Sequence, residues 1–171
     1  EAPDTLAHLA RLQYQTGEHE AALGSLERRI QMSQGDENAI DIEVQTRLEM
    51  AEISDLGLGD RDRATQQLER ASQLAPDAAA VQERLYQFAE LHGTWHQLMK
   101  VYDQRFDALA QTQDLQGQLD VCMEASATAE DRMEDHALAF QWTRRGYFVF
   151  FEAGLGAPDA LERLEQLAEV H

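Results

Sequence analysis

Two short segments of this chain are nearly the same, and this repetition constrains the fold more than any other feature. Residues 83–92 read Glu-Arg-Leu-Tyr-Gln-Phe-Ala-Glu-Leu-His, and residues 162–171 read Glu-Arg-Leu-Glu-Gln-Leu-Ala-Glu-Val-His. The tripeptide Ala-Pro-Asp precedes both segments, at 75–77 and 157–159, and it also occurs at 2–4. Self-similarity of this kind indicates an array of repeated structural units that stack on one another.

Apolar residues recur with helical spacing along the whole chain. Val81, Leu85 and Phe88, for example, are separated by three or four residues, as on one face of an α-helix. Residues 147–151 have the composition of a strand, but they end a helical pattern, so we expect a helix there. The sequence therefore predicts an all-α fold.

Glycines and prolines divide this pattern into short helices. Gly17, Gly59 and Gly93 fall where a tight turn between two helices needs a permissive backbone. Three aspartates follow prolines at positions typical of helix N-caps: Asp4, Asp77 and Asp159. The predicted antiparallel helix hairpins span residues 4–33, 40–74, 77–110 and 115–153, in each case divided by a turn.

A last helix is predicted from residue 158 onwards. The step from Gly17 to Gly93 is 76 residues, and the chain stops at His171, where the matching turn would follow. We therefore expect about four hairpins plus a truncated fifth helix, forming one array over 1–171 within a longer protein.

The chain is strongly acidic, with 14 Lys and Arg residues against 32 Asp and Glu residues and a net charge of −18. Such a charge argues against nucleic acids and anionic membranes, since both bind proteins through Lys and Arg. It favours basic partners. Because apolar residues (43% of the chain) are spread along its length, the acid does not indicate disorder.

The sequence contains one cysteine, Cys122, so no internal disulfide can form. This fits a reducing compartment and favours the cytoplasm, with an envelope protein that lacks disulfides as the alternative. A targeting segment could be missing from the fragment. No apolar run approaches the length of a membrane span.

We find no residue pattern that predicts catalysis, a cofactor or a metal. His92 and His96 are separated by a turn at Gly93 and have no third ligand nearby in sequence. Cys122 is expected to be a small core residue, and glycines occur singly instead of in a phosphate-binding loop. We therefore predict a protein without enzymatic activity.

The densest aromatic stretch, from Trp142 to Phe151, admits two interpretations. Trp, Tyr and Arg dominate the energetics of many interfaces, so the stretch could bind a partner. We instead expect that this helix packs against the helix that begins near 158.

The spacing of the turns carries a resemblance to a known family. Gly59, Ala64 and Leu68 correspond to Gly93, Leu98 and Tyr102 at a shift of 34 residues, and residues 51–76 end on Pro76. This pattern resembles the tetratricopeptide repeat (TPR) over nearly the whole chain. The tryptophan that is usual in the first helix of each repeat is absent, and linkers at Ser33–Asn38 and Gln111–Gln116 lengthen the spacing.

The resemblance implies an α-solenoid, a right-handed superhelix whose concave face holds a peptide or helix of another protein. The groove positions of the family, counted back from each turn residue, give this set: Arg11, Tyr14, Glu49, Ile53, Leu56, Glu83, Gln87, Glu90, Glu124, Thr128 and Asp131. These positions are mostly acidic with a few apolar members. They are consistent with a groove for a basic or amphipathic segment, and equally with a solvated helix face in an acidic chain.

The predicted function is therefore a non-catalytic scaffold that binds a partner protein through an acidic groove. The alternative is a structural spacer or a self-association module of a larger protein.

Overall fold

The structure is a computed structural model that describes residues 2–169. Across these residues it contains nine α-helices and no β-strand, which confirms the predicted all-α fold. The helices are α1 (Pro3–Gln15), α2 (His19–Met32), α3 (Ala39–Glu52), α4 (Arg61–Leu74), α5 (Ala79–His92), α6 (Trp95–Gln111), α7 (Leu115–Met133), α8 (His136–Glu152) and α9 (Pro158–Glu169). The helix expected at 147–151 is part of α8. Residues 170 and 171, which close the second repeated segment, lie outside the described residues.

The chain forms two compact units, Glu1–Leu85 and Tyr86–His171, and the boundary between them falls within α5. None of the helices in the described part is both long and apolar enough to cross a membrane.

In unit 1, short turns bring neighbouring helices together. α2 packs on α1 and on α3, and α3 packs on α4. Gly17 and Gly59 adopt φ values of 82° and 68° at the turns of the two pairs, which confirms the need for glycine there. Leu23 and Leu26 are fully buried in the core, and burying each leucine side chain stabilises the fold by roughly 1.5–3 kcal/mol.

The end of α3 is a π-helical turn, Ile53–Gly57. Its wider winding is seen in the hydrogen bond from the backbone N–H of Leu58 to the carbonyl of Ile53, at 3.1 Å. The Ser54 hydroxyl, which is buried, donates to the Met50 carbonyl at 2.7 Å. A π turn contains one more residue than an α turn. Side chains before it therefore face a different direction from the one expected when residues are counted back as in an α-helix.

In unit 2, α7 packs on α6 and α8, and α8 packs on α9. Trp142 is only 5% exposed, and Tyr147 and Phe150 pack against Ala157 and Ala160. The expectation that this aromatic helix packs on the next one is therefore confirmed for Tyr147 and Phe150, whereas the Trp142 ring lies 6.5 Å from that of Tyr102 on α6. Phe151 differs, because it is 62% exposed.

Asp60, Asp114 and Asp135 cap helices with their side chains, each accepting a bond from a backbone N–H three residues later. The predicted caps at Asp4 and Asp159 are wrong. Both lie in the first turn of helices that begin at the preceding proline. Proline suits that first position because its ring fixes φ and its missing N–H needs no partner there.

Candidate binding site

A pocket of about 210 Å³ lies between α1 and the end of α3 in unit 1. Its lining residues are Ala10, Arg11 and Tyr14 from α1, and Glu49, Glu52 and Ile53 from α3 and its π turn. We call this cavity the α1–α3 pocket. Four of the predicted groove residues therefore line one cavity, although they come from helices distant in sequence: Arg11, Tyr14, Glu49 and Ile53.

Helical spacing explains why these side chains meet. Ala10 and Tyr14 are four residues apart on α1, and Glu49, Glu52 and Ile53 follow at three and four residues on α3, so each set shares a face. Ala10 and Ile53 belong to the core of unit 1, and Tyr14 packs against it. The floor of the pocket is thus the edge of the hydrophobic core.

The back of the Tyr14 ring is held by the π turn. The ring lies 5.3 Å from the His19 ring, and a Cβ atom at Gly57 would lie only 3.2 Å from Tyr14 and 2.9 Å from His19. Only glycine allows the backbone this close to the two rings. The ring that forms one wall of the pocket is therefore fixed by the backbone behind it.

The two carboxylates of the pocket differ in how closely an arginine approaches them. Glu52 forms an ion pair with Arg84 at 2.9 Å, whereas Glu49 is 3.8 Å from Arg29, whose guanidinium donates to the Thr46 hydroxyl at 3.0 Å. Burial raises the pKa of the Glu49 carboxyl above its usual range, although the charges of Arg29 and Arg11 act in the opposite direction. The charged neighbours of Glu49 thus stabilise its ionised carboxylate only in part.

Ala10 and Glu52 are the pocket residues that the sequence analysis missed. Counting back from Gly59 as in an α-helix selects Ile53 and Leu56. Glu52 lies three residues after Glu49 on α3 and directly before Ile53, so it shares the helix face that lines the pocket. Leu56 is 63% exposed and does not belong to the lining. Glu83, on the first half of α5, is also exposed and outside this lining.

The predicted groove residues of unit 2 have different surroundings from one another. Gln87 and Asp131 are exposed on α5 and α7. Glu124 forms an ion pair at 2.8 Å with Arg105 of α6. The prediction for Thr128 requires correction, because its side chain is only 7% exposed and its hydroxyl is 3.3 Å from that of Tyr102. Thr128 therefore faces the core and is closed to a partner.

A second arrangement in unit 2, which the sequence analysis missed, surrounds Arg132 on α7. Its guanidinium lies 5.6 Å from the centre of the Tyr86 ring and 5.7 Å from the centre of the Trp95 ring. Its Nε donates to the Tyr86 hydroxyl at 2.9 Å, and its Nη2 is 3.3 Å from the Glu90 carboxylate. We call Tyr86, Glu90, Trp95 and Arg132 the Arg132 cluster. It holds an arginine through aromatic faces and a carboxylate at once.

Metal-ligand clusters and the cysteine can be assessed directly in the described residues. No group of three or more His, Cys, Asp or Glu side chains among them is placed to hold a metal ion. Cys122 is fully buried, and burial raises the pKa of its thiol to about 12, so the thiol stays protonated at neutral pH.

Comparison with known proteins does not assign the chain to a group. No model of a protein family matches it, and no curated protein is similar to it.

Proposed function

We propose that this chain is a protein-interaction module and that a segment of a partner protein enters the α1–α3 pocket. The observation that carries the proposal is the convergence of Arg11, Tyr14 and Glu49 on one cavity, to which the π turn adds Ile53. The sequence pattern alone predicts Arg11, Tyr14, Glu49 and Ile53 as binding positions. The non-enzymatic role predicted from the sequence is part of the same proposal.

The composition of the pocket supports a protein ligand. The pocket combines an apolar floor with a tyrosine and an arginine. Apolar side chains, tyrosine and arginine carry much of the binding energy in protein interfaces. A cavity of about 210 Å³ is smaller than the roughly 300–1,000 Å³ typical of sites for cofactors and drug-sized ligands, so it suits one side chain of a longer segment. The acidic charge of the chain would attract a basic or amphipathic segment and speed its association.

The proposal extends to the fold as a TPR-like, right-handed solenoid of antiparallel helix hairpins. In such an array α1 and α3 would be the first helices of successive hairpins, and these helices share one face. The pocket between α1 and α3 is consistent with that assignment.

Selection from a random peptide library, displayed on phage, would test the proposal. We expect peptides selected on the wild-type chain to lose at least about tenfold in affinity for Glu49→Lys, because a like charge replaces an attraction in a partly buried site. Affinity should also fall as salt concentration rises. Glu69→Lys makes the same charge change at an exposed position of α4 outside the pocket lining and should bind as the wild type does. Equal binding by the two variants would contradict the proposal, provided that circular dichroism shows both to be folded.

The alternative, a self-association module, is favoured by one feature of unit 2. Several large apolar side chains of α8, α9 and the turn between them are exposed: Phe148, Phe151, Leu155 and Leu161. Sedimentation of the wild-type chain and of Phe151→Ser distinguishes self-association from peptide binding. Self-association requires the wild-type chain to form oligomers and Phe151→Ser to form fewer of them.

A further inference from the structure

We propose that the side chain entering the α1–α3 pocket is an arginine of the partner, with its stem against Tyr14 and Ile53 and its guanidinium at the Glu49 carboxylate. This inference rests on the proposed function and names the residue type that the pocket recognises.

The Arg132 cluster shows how this protein holds an arginine. There, the guanidinium contacts the faces of Tyr86 and Trp95 and the carboxylate of Glu90. The α1–α3 pocket presents the same kinds of group, since Tyr14 supplies an aromatic ring and Glu49 a carboxylate. In unit 1 these groups border a cavity, whereas in unit 2 an arginine of the chain itself lies between them.

The two places are also related in sequence. Gly17 after α1 and Gly93 after α5 both adopt left-handed turns, with φ values of 82° and 70°. Counting back from each glycine aligns Ala10 with Tyr86 and Tyr14 with Glu90. An alanine therefore stands in α1 where α5 has a large ring that contacts Arg132, and this small residue lines the pocket.

Glu49 is the pocket carboxylate that a cation would contact, because Glu52 is already paired with Arg84 at 2.9 Å. Arg29 approaches Glu49 from α2, Arg11 acts on it from α1, and Glu52 lies one turn away on the same helix. Even with both arginines nearby, burial still raises the pKa of the Glu49 carboxyl, so a further cation would stabilise its ionised form. Arginine fits better than lysine, because its planar guanidinium offers two parallel donors to the Glu49 carboxylate.

A single capped amino acid is the most direct probe. We would titrate N-acetyl-arginine N-methylamide into the whole chain and follow the NMR signals of Ala10, Tyr14 and Ile53. The expected result is saturable shifts at millimolar concentrations. The matching citrulline compound has the same shape without the charge and should bind at least about tenfold more weakly, and the lysine compound should be intermediate.

Two variants assign the effect to the pocket. Glu49→Gln should abolish the difference between arginine and citrulline, because the remaining amide no longer attracts a charge. Arg11→Ala should strengthen arginine binding by removing a like charge, and as an exposed position it is not expected to affect folding. Arginine affinity should also rise with pH as Glu49 ionises.

Equal binding of arginine and citrulline, or an Arg11→Ala variant that binds arginine no better than the wild type, would overturn the inference. Peptides from the library that shift the Ile53 and Tyr14 signals without containing an essential arginine would do the same, while leaving the proposed function intact. If neither the capped arginine nor any selected peptide shifts these signals, both proposals are wrong.

Discussion

The α1–α3 pocket of unit 1 and the Arg132 cluster of unit 2 bring together an aromatic ring, a carboxylate and an arginine in two different ways. In unit 2 the arginine comes from α7 and is held by Tyr86, Trp95 and Glu90. In unit 1 the ring of Tyr14 and the carboxylate of Glu49 border a cavity, and Arg11 at its edge is exposed. The difference is that these groups tie helices together in unit 2, whereas in unit 1 they border a cavity.

The largest expected effect concerns the Arg132 cluster. In Arg132→Ala the rings of Tyr86 and Trp95 and the Glu90 carboxylate lose their arginine, so the cluster should become a site for the capped arginine. We expect the indole N–H signal of Trp95 to shift on titration in the variant and not in the wild type, with the buried Trp142 as an internal reference.

The control for this prediction is Arg144→Ala, which removes an exposed arginine of α8. It should leave the response of Trp95 unchanged. If Arg132→Ala responds no more than the wild type, the comparison between the two regions fails, because the cluster would then not be a site that an external arginine can replace.

The next effect concerns the backbone behind Tyr14. In Gly57→Ala the new methyl group would lie 2.9 Å from His19 and 3.2 Å from Tyr14, and we expect a loss of roughly 1–3 kcal/mol in the free energy of unfolding. Capped-arginine binding should weaken as Tyr14 moves. Gly24→Ala is the matched control, because nothing lies within 4 Å of its new methyl group and alanine in a helix stabilises by about 0.5–1 kcal/mol. Urea unfolding measures both variants, and equal stability would mean that the π turn does not fix the ring.

The helices could be predicted from the sequence because their signals are local. Periodic apolar residues and the glycines at Gly17, Gly59 and Gly93 placed each helix boundary within a few residues of the observed one. The π turn could not be predicted, because the choice between α and π winding depends on the packing of Gly57 against α1 and α2 and leaves no periodic signal.

Predictions about side-chain direction were less successful where a helix is covered on several sides. α7 packs on both α6 and α8, so a count from its turn selected Thr128, which is buried against Tyr102. The Arg132 cluster was missed for a related reason. Its members come from three helices, and only the tertiary packing brings Arg132 to Tyr86 and Trp95.

The smallest expected effect tests the charge that distinguishes the pocket from the cluster. Burial raises the pKa of Glu49 in the folded state above its unfolded value of about 4.3, so the fold favours the neutral carboxyl. This contribution to stability is fully present below the unfolded pKa and is lost as pH rises through the folded pKa. Glu49→Gln should therefore be slightly more stable than the wild type at pH 7, by less than about 1 kcal/mol because the side chain is 42% exposed.

The gain from Glu49→Gln should vanish in thermal unfolding at acidic pH, where the wild-type carboxyl is also neutral. Glu69→Gln, on the exposed face of α4, controls for the general effect of removing one negative charge from an acidic chain. A residue that reduces stability at neutral pH yet strengthens arginine binding is one expected at a binding site, since function often requires a group that the fold alone would not favour. If Glu49→Gln is instead less stable than the wild type at pH 7, the attraction of Arg29 already stabilises the ionised carboxylate. Glu49 would then resemble Glu90, which is paired with an arginine of the chain itself, and would not be available to a partner's arginine.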